Sequence, residues 1–467
     1  MRALLASLGR PSGRTVARPR SAVRPGAALA RVLSAARPGA PVARTLSAAP
    51  RPAATQTKLF PGIKRLTEHV LVSGRGARVT TAEGRELLDF TSGIGVTSTG
   101  HCHPRVVAAV QAQAAQACHL QMSIAYHDRM LELVERLEPY ALGLDRFFFA
   151  TSGAEAVEGA LRLARQATGR SGVIAFQGGY HGRTAGTLAV TTSGVGYRGG
   201  DAGPLPYGAF FAPFPYALRG VTEAFAKEQL DLLIKQQVAP SEVAAVIIEP
   251  VLGEGGFLPA PASFLRYLRE FCDAHGALLI ADEVQSGAGR TGTFYAIEAA
   301  GVTPDIITTA KGIGSGYPIS AVLSRAEIAD AQPAGCMGGT YGGNAVACAA
   351  AVATLDVYEH ENVLDNVVAR GAQATAALHA LQARCPAVAE VRGPGLMLGI
   401  EFDPSLAGFA GDVTKACGDR GMLALTAGVH ETVRLIPPLT IDEGDLAEGL
   451  SIFAESVEAV AAARGVL

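Results

Sequence analysis

Two short apolar runs, each followed by a charged residue, constrain this chain more than any other feature of its sequence. The first run, residues 277–281, leads directly into Asp282, and the second, residues 306–309, is separated from Lys311 by one residue. Short apolar runs that end in Gly-rich segments predict buried strands. Open α/β sheets bind ligands at the carboxyl ends of their parallel strands. The sequence therefore predicts that Asp282 and Lys311 face one crevice.

An aspartate and a lysine at neighbouring strand ends have a specific chemical use. A lysine amine condenses with the aldehyde of pyridoxal phosphate, and an acid beside the pyridine nitrogen keeps that nitrogen protonated, so the ring accepts electrons. Taken singly, Asp282 is more typical of a turn or helix cap, and Lys311 of a solvated loop. The two residues at this spacing favour the catalytic interpretation.

The residues around this pair resemble the signature of the class III, fold type I, pyridoxal-phosphate aminotransferases. The matching elements are Asp282-Glu283-Val284, a Gly-rich segment at 287–292, Asp305-Ile306-Ile307 and Lys311. The resemblance covers about residues 60–460. It implies an α/β fold with a mostly parallel central sheet, helices on both faces and a smaller C-terminal α/β domain. It also implies that Lys311 and Asp282 are the catalytic residues of a pyridoxal 5'-phosphate enzyme.

Residues 146–167 predict a turn that binds phosphate. A short strand at 147–149 is followed by a turn at 151–153 and by a helix. The first N–H groups of a helix lack intrahelical acceptors, and the helix dipole favours an anion there. The resemblance places the cofactor phosphate at Ser152, Gly153 and Ala154, where relatives often have a second serine in place of Ala154. An ordinary helix cap at Ser152 is the alternative interpretation.

The resemblance implies three further contacts with the cofactor in the same subunit and one across a dimer. Tyr180 stacks on the ring, Val284 lies beside it, and Gln285 hydrogen-bonds its 3-oxygen. Thr340, in the run Gly338-Gly339-Thr340-Tyr341-Gly342-Gly343-Asn344, donates to the phosphate bound by the partner subunit. A homodimer is then a functional requirement, whereas a simple Ser/Thr turn is the alternative for Thr340.

Two arginines and one acid carry the prediction of substrate. By resemblance, Arg183 binds the distal carboxylate of 4-aminobutyrate or glutamate, Arg434 receives an α-carboxylate, and Ile94 lines the pocket. Because 4-aminobutyrate leaves Arg434 unpaired, Glu249 is expected to neutralise it. We therefore expect an aminotransferase that moves the amino group of an ω-amino acid, with 4-aminobutyrate as first choice, to 2-oxoglutarate, giving succinate semialdehyde and glutamate.

Other functions stay open on the sequence alone. Acetylornithine and ornithine aminotransferases use similar arginines, so the amino donor is open among these substrates and 4-aminobutyrate. An aminomutase or decarboxylase of the same fold would keep Lys311 and Asp282 but would not need a free 2-oxo acid. A binding or structural protein would tolerate the loss of Lys311.

The expected organisation follows from the same elements. Residues 58–100, with a hairpin at 79–90, are expected to pack with the small domain, residues 101–350 to form the large cofactor-binding domain, and residues 351–467 the small one. A single long helical pattern from residue 345 through 360 toward 381 is expected to link the two domains.

The N-terminal residues 1–57 differ from the rest of the chain in charge. They contain ten arginines and no acid, a composition typical of an organelle transit peptide. We expect the mitochondrial matrix, with the plastid as the alternative, and cleavage near residues 44–51; a basic tail with another partner is the other interpretation. The remaining 30 basic and 42 acidic residues give a net charge of −12, which supplies no electrostatic basis for nucleic-acid binding.

The cysteine spacing and the hydropathy indicate whether disulfides, a metal site or a membrane span are expected. The seven cysteines are scattered without C-x-x-C spacing, which favours reduced thiols. The run His101-Cys102-His103 has no second group of ligands near it in sequence, so we expect no metal site. No apolar run approaches the roughly 18 residues of a membrane helix, and we expect no membrane span.

Overall fold

A computed structural model describes residues 58–60, 62–199 and 203–467, so the expected transit peptide and its cleavage site lie outside the described residues. The strands are β1 (Leu71–Arg75), β2 (Arg78–Thr81), β3 (Glu86–Asp89), β4 (Arg146–Ala150), β5 (Gly172–Phe176), β6 (Ala209–Ala212), β7 (Val243–Ile248), β8 (Val251–Leu252), β9 (Leu258–Pro259), β10 (Leu278–Asp282), β11 (Ile306–Thr309), β12 (Ser320–Ser324), β13 (Val388–Arg392), β14 (Leu398–Phe402), β15 (Met422–Leu423), β16 (Leu425–Ala427) and β17 (Thr432–Leu435).

The helices connect these strands or cover them. They are α1 (Pro104–Gln116), α2 (Asp128–Leu137), α3 (Gly153–Thr168), α4 (Ala185–Val190), α5 (Glu223–Gln236), α6 (Ala262–His275), α7 (Ala326–Ala329), α8 (Ala345–His360), α9 (Val363–Arg384), α10 (Phe409–Asp419) and α11 (Glu443–Ala463). A distorted helical turn at Ser92–Gly95 and several short 3-10 turns complete the described elements.

The central sheet has the order β4-β12-β11-β10-β7-β5-β6. Strand β12 is antiparallel to both of its neighbours, and the remaining neighbouring strands are parallel. The run Val243–Ile248 is buried along its whole length, as expected for a strand covered on both faces. The prediction of a mostly parallel α/β sheet is confirmed.

Alternate residues of the central strands pack into two separate cores. Ala245 and Ile247 of β7 belong to the core shared with α3, whereas Val246 and Ile248 belong to the core shared with α6. Successive side chains of a strand point to opposite faces, so a strand buried on both sides needs a helix layer on each. Helices therefore cover both faces of the sheet, as the resemblance implied.

Two smaller sheets lie outside the central one. The hairpin of β2 and β3 is extended by β15, a strand from the C-terminal part of the chain, which pairs with β3 in parallel. The second small sheet is antiparallel, in the order β13-β14-β17-β16. This second sheet carries Arg434 on β17.

The expectation of one long helix from residue 345 is wrong in one respect. The pattern is divided into α8 and α9, and Asn362 between them takes a left-handed conformation with φ of 49°. A left-handed residue interrupts the helical hydrogen-bond ladder, so the chain changes direction there. In the part of the chain that is described, no helix combines the length and apolarity needed to cross a bilayer.

Candidate active site

The carboxyl ends of five parallel strands of the central sheet converge on one cavity of about 640 Å³. Strands β4, β5, β7, β10 and β11 lead into the segments that form its walls. Most of the predicted site residues line this cavity, namely Ser152, Gly153, Ala154, Tyr180, Arg183, Glu249, Asp282, Val284, Gln285 and Lys311. The position agrees with the rule that open α/β sheets bind ligands outside the carboxyl ends of their strands.

Three predicted residues are not among those that line the cavity. Ile94 has 44% of its surface exposed, and Val96 lines the cavity wall nearby. Thr340 is exposed and does not line the cavity of its own subunit. Arg434 is buried behind Glu254, which does line the cavity.

Asp282 lies at the end of β10 and is held by three donors. His181 Nδ1 donates to its Oδ2 at 2.7 Å, while Thr308 Oγ1 and the Val284 N–H donate to its Oδ1 at 3.0 and 3.1 Å. Burial by itself lowers the pKa of His181, but the hydrogen bond to Asp282, the charge of Asp282 and the charge of Glu249 together outweigh burial and raise that pKa. A buried, fixed carboxylate is suited to hold a proton on a cofactor ring nitrogen.

His181 was not assigned a role from the sequence, although it follows Tyr180 directly. Its imidazole is buried and contacts Asp282 through a hydrogen bond across two strand ends. The available signal was a histidine within a segment that leaves a buried strand. That signal does not predict Asp282 as the partner of His181, because the two residues are about a hundred positions apart in the sequence.

Lys311 follows β11 and takes a left-handed conformation with φ of 46°, which turns its side chain into the cavity. Burial lowers the pKa of the Lys311 amine to about 8, since nearby carboxylates, Glu254 first among them, only partly offset the loss of hydration. An amine with a pKa near 8 is neutral in roughly a tenth of molecules at pH 7. Only the neutral amine is nucleophilic, so the site favours condensation with an aldehyde.

The N-terminus of α3 forms the part of the cavity wall where the cofactor phosphate is expected to bind. Ser152 caps the helix, its Oγ accepting from the Glu155 N–H at 3.3 Å, and Glu155 Oε2 in return accepts from the Ser152 N–H at 2.9 Å. The N–H groups of Gly153 and Ala154 have no acceptor among the described residues. These two free donors at a helix N-terminus match the needs of a bound phosphate.

Close packing keeps this part of the cavity wall in place. A Cβ atom on Gly153 would lie 2.7 Å from Val284 Cγ1, so a side chain there would push the helix N-terminus away from the cavity wall. The neighbouring Gln285 is buried, and its Oε1 has no hydrogen-bond partner in the described residues. An unpaired amide facing a cavity is available to a ligand.

The expected pairing of Glu249 with Arg434 is wrong. Glu249 accepts from the Tyr180 N–H at 2.7 Å and the Gly253 N–H at 2.8 Å, and burial raises its pKa to about 7. Arg434 Nη1 instead donates to Glu254 Oε1 at 2.5 Å. Burial by itself raises the pKa of Glu254, but the Arg434 guanidinium, with smaller contributions from the Tyr197 hydroxyl and Lys311, outweighs burial and lowers that pKa. Glu254 is therefore the ionised partner of Arg434, and Glu249 holds two loops together.

Arg183 stands at the rim of the cavity without an acid partner among the described residues. Its guanidinium carbon lies 4.8 Å from the ring centroid of Tyr197 and 6.0 Å from that of Tyr180. The Tyr197 hydroxyl in turn donates to Glu254 Oε2 at 2.7 Å. Two aromatic rings thus orient an arginine whose charge is free to bind a carboxylate.

Known proteins share both the sequence pattern and the fold of this chain. The family described as aminotransferase class-III matches residues 63–457. The 5-aminovalerate aminotransferase DavT of Pseudomonas putida is 43% identical over 408 residues, covering 86% of this chain and 96% of that protein. The 4-aminobutyrate aminotransferase GabT of Escherichia coli is 42% identical over 387 residues, covering 81% and 91%.

The solved structures agree with this family. An amine transaminase from an uncultivated Pseudomonas species, solved in its PLP-bound form, is similar with a TM-score of 0.79 and 32% identity over 86% of this chain and 98% of that chain. The free helix N–H groups, the buried Asp282 and the cavity amine of Lys311 fit phosphate, ring nitrogen and aldehyde of the same cofactor. The chain therefore belongs to the class-III aminotransferases, the pyridoxal-phosphate enzymes of fold type I.

Proposed function

We propose that this protein transfers the amino group of an ω-amino acid, with 4-aminobutyrate as the donor, to 2-oxoglutarate, giving succinate semialdehyde and glutamate. One observation carries the proposal: Arg183 has no acid partner in the described residues, whereas Arg434 is already paired with Glu254. A donor with a single carboxylate distal to its amine needs one free arginine. A second free arginine would be a buried, unpaired charge, which is costly.

When bound, pyridoxal phosphate supplies an aldehyde for the substrate amine and a ring that accepts the electrons of the broken C–H bond. Lys311 Nζ would remove the proton from the amine-bearing carbon of the substrate and deliver it to the former aldehyde carbon of the cofactor, acting first as general base and then as general acid. Asp282 would keep the ring nitrogen protonated, and the hydrogen bond from His181 holds Asp282 in place. The N–H groups of Gly153 and Ala154 would hold the phosphate and so keep the reacting atoms aligned.

The second substrate requires a rearrangement of the arginine pair. Glutamate and 2-oxoglutarate carry two carboxylates, so Arg183 binds one and Arg434 must be released by Glu254 to bind the other. Glu254 keeps one partner after release, because its Oε2 accepts from the Tyr197 hydroxyl at 2.7 Å. Exchange of one acid for a substrate carboxylate lets one site serve both halves of the reaction without burying an unpaired charge.

The similarity to 5-aminovalerate aminotransferases favours a second candidate donor. 5-Aminovalerate also has one carboxylate and differs from 4-aminobutyrate by one methylene, a difference that a pocket discriminates by only about 10- to 200-fold. Acetylornithine and ornithine carry an α-carboxylate, so they require Arg434 to be released in the donor half-reaction as well. Net amino transfer to 2-oxoglutarate separates all of these from an aminomutase or a decarboxylase.

The donor can be identified from the visible absorbance of the purified holoenzyme. We expect 4-aminobutyrate to bleach the cofactor band and 2-oxoglutarate to restore it, with kcat/KM highest for this donor among 4-aminobutyrate, 5-aminovalerate, ornithine and acetylornithine. A higher kcat/KM for 5-aminovalerate would reassign the donor but keep the ω-amino class. Bleaching by the ornithine derivatives alone would contradict the proposal.

The distal carboxylate site is tested by Arg183→Met. The loss of one charged hydrogen bond, about 1.5–3 kcal/mol, should lower kcat/KM for 4-aminobutyrate and for glutamate alike, by roughly 10- to 150-fold. Arg146→Met is a matched control, because Arg146 is exposed at the amino end of β4 and pairs with Asp330, far from the strand ends that form the cavity. Loss for only one substrate would contradict the placement of the distal carboxylate at Arg183.

We propose also that the enzyme works as a homodimer in which Thr340 contacts the phosphate bound by the partner subunit. Thr340 is exposed and does not line the cavity of its own chain, and large apolar side chains are exposed at Ile124, Tyr126 and Tyr341. Sedimentation should show a dimer. Thr340→Val should weaken the affinity for the cofactor but leave the dimer intact. A fully active monomer would refute this arrangement.

For residues 1–57 we propose a targeting role, with the mitochondrial matrix as destination and the plastid as the second choice. The support is compositional, since ten arginines and no acid occur in this segment. Fused to a fluorescent protein, residues 1–57 should direct the fusion to mitochondria. A uniformly distributed fusion protein would contradict the proposal, and a plastid signal would select the alternative.

A further inference from the structure

Arg392, the last residue of β13, makes contacts that the proposed reaction does not use. Its Nε and Nη2 both donate to the main-chain oxygen of Gly256, at 3.0 and 2.8 Å. Gly256 belongs to the segment 253–257, here called the acidic turn, which carries Glu254. A buried guanidinium with two donors on one carbonyl oxygen fixes the position of that oxygen.

Arg392 and Arg434 are aligned across the small antiparallel sheet. Arg392 is directly opposite Gly399 of β14, and Gly399 is directly opposite Arg434 of β17. Residues opposite one another on neighbouring strands project to the same face. A Cβ atom on Gly399 would lie 2.9 Å from the oxygen of Gly256, so the acidic turn rests on this face between the two arginines.

The two arginines hold the acidic turn in different ways. Arg434 contacts side chains, with Glu254 Oε1 at 2.5 Å from its Nη1 and the Phe257 ring centroid 5.7 Å from its Cζ. Arg392 contacts the main chain of Gly256. A rotation of the Glu254 side chain can therefore free Arg434 while Arg392 keeps the backbone of the turn where it was.

Arg392 is itself fixed by acids that no substrate reaches. Its Nη1 lies 2.6 Å from Glu401 Oε2, and Glu401 is fully buried and also accepts hydrogen bonds from Tyr216 and Arg219. A second acid, Glu390, contacts the same Nη1 from a more exposed position. The anchor therefore persists whether Glu254 is paired with Arg434 or released from it.

We propose that Arg392 is a positioning residue that fixes the acidic turn so that Glu254 covers Arg434 whenever the substrate has a single carboxylate. The inference rests on the proposed function, in which Glu254 and an α-carboxylate alternate on Arg434. Without the anchor, Glu254 neutralises Arg434 less completely, and ω-amino acids react more slowly. Glutamate is little affected, because its own carboxylate takes the place of Glu254.

The test compares the two half-reactions of the holoenzyme in single-turnover experiments. Arg392→Lys keeps a positive charge near Glu401 but cannot place two N–H donors on Gly256 in the same geometry. Relative to glutamate, the second-order rate constant for 4-aminobutyrate should fall by about tenfold or more. Gly399→Ala displaces the acidic turn without changing any charge. It should also lower the ratio of the rate constant for 4-aminobutyrate to the rate constant for glutamate.

Glu390→Gln is the matched control. It removes an acid that contacts Arg392 but leaves the contacts of Arg392 with Gly256 and Glu401, so the ratio of rate constants should stay as in the wild type. An equal loss in both half-reactions for Arg392→Lys and Gly399→Ala would show a merely structural role and overturn the inference. A ratio that rises in favour of 4-aminobutyrate would overturn it as well.

A double substitution separates this inference from the proposed function. Glu254→Gln alone should lower the ratio, and Arg392→Lys added to it should lower the ratio by less than twofold further, because both act through the same carboxylate. If Glu254→Gln leaves the ratio unchanged, the proposed exchange on Arg434 fails. If Glu254→Gln shifts the ratio but neither Arg392→Lys nor Gly399→Ala does, only the role of Arg392 fails.

Binding of glutarate provides a readout that needs no turnover. Glutarate is an unreactive dicarboxylate that competes with Glu254 for Arg434, so calorimetry should show its affinity for the Arg392→Lys holoenzyme retained or increased. A tenfold weaker affinity would mean that the substitution damages the carboxylate site itself, and it would refute a role limited to the acidic turn.

Discussion

Replacement of Lys311 by methionine should stabilise the cofactor-free protein at neutral pH. Burial lowers the pKa of Lys311 from 10.5 to about 8, and each unit corresponds to about 1.4 kcal/mol. The charged lysine thus destabilises the folded apoprotein by up to about 3 kcal/mol at pH 7. Methionine has a similar length and no charge to desolvate, so Lys311→Met removes this cost.

The stability difference between Lys311→Met and the wild-type apoprotein should depend on pH. Between the folded pKa of about 8 and the unfolded value of 10.5, the unfolded chain binds more protons, so the stability of the wild-type apoprotein rises with pH across this window. The advantage of Lys311→Met should therefore fall from about 3 kcal/mol at pH 7 to about 1 kcal/mol at pH 10. Above the unfolded pKa it should vanish.

Urea unfolding of the apoproteins at several pH values and one protein concentration measures this difference. Lys415→Met is the matched control, because Lys415 is an exposed helix residue and its replacement should leave the free energy of unfolding within about 0.5 kcal/mol. The reasoning is refuted if Lys311→Met is less stable than the wild type at pH 7. A stability gain that stays constant from pH 7 to pH 10 would also refute it.

Three further substitutions test the cofactor site. Asp282→Asn should lower kcat by about a thousandfold, since a carboxylate in contact with a protonated ring nitrogen would contribute roughly 4 kcal/mol, and an unchanged kcat would contradict its role. His181→Phe should lower kcat by less than Asp282→Asn, because it removes one of three donors to the carboxylate; an equal loss would assign His181 a direct part. Gly153→Ala should weaken pyridoxal-phosphate affinity at least tenfold by pushing against Val284, as fluorescence titration of the apoprotein can measure, whereas unchanged affinity would mean that the helix N-terminus does not hold the phosphate.

The central sheet was predictable because its signals are local. A buried parallel strand requires a short apolar run, and the run at Ile306–Thr309 has the bounds that the sequence suggested. Polar residues such as Asp282 stand where such runs stop, so their convergence follows from the parallel arrangement. The break at Asn362 was missed because the helical periodicity on either side of it continues without a Pro or Gly to mark the end.

The sequence by itself determined the family, the strand ends that converge, and the identities of Lys311, Asp282 and Arg183 as cavity residues. Only the tertiary structure decided which acid pairs with Arg434, because Glu249 and Glu254 lie five residues apart and differ in what faces them. Glu249 points toward backbone N–H donors, while Glu254 is carried by a turn that rests on the small sheet beside Arg434. Such choices depend on contacts between segments distant in sequence, and no local pattern of residues encodes them.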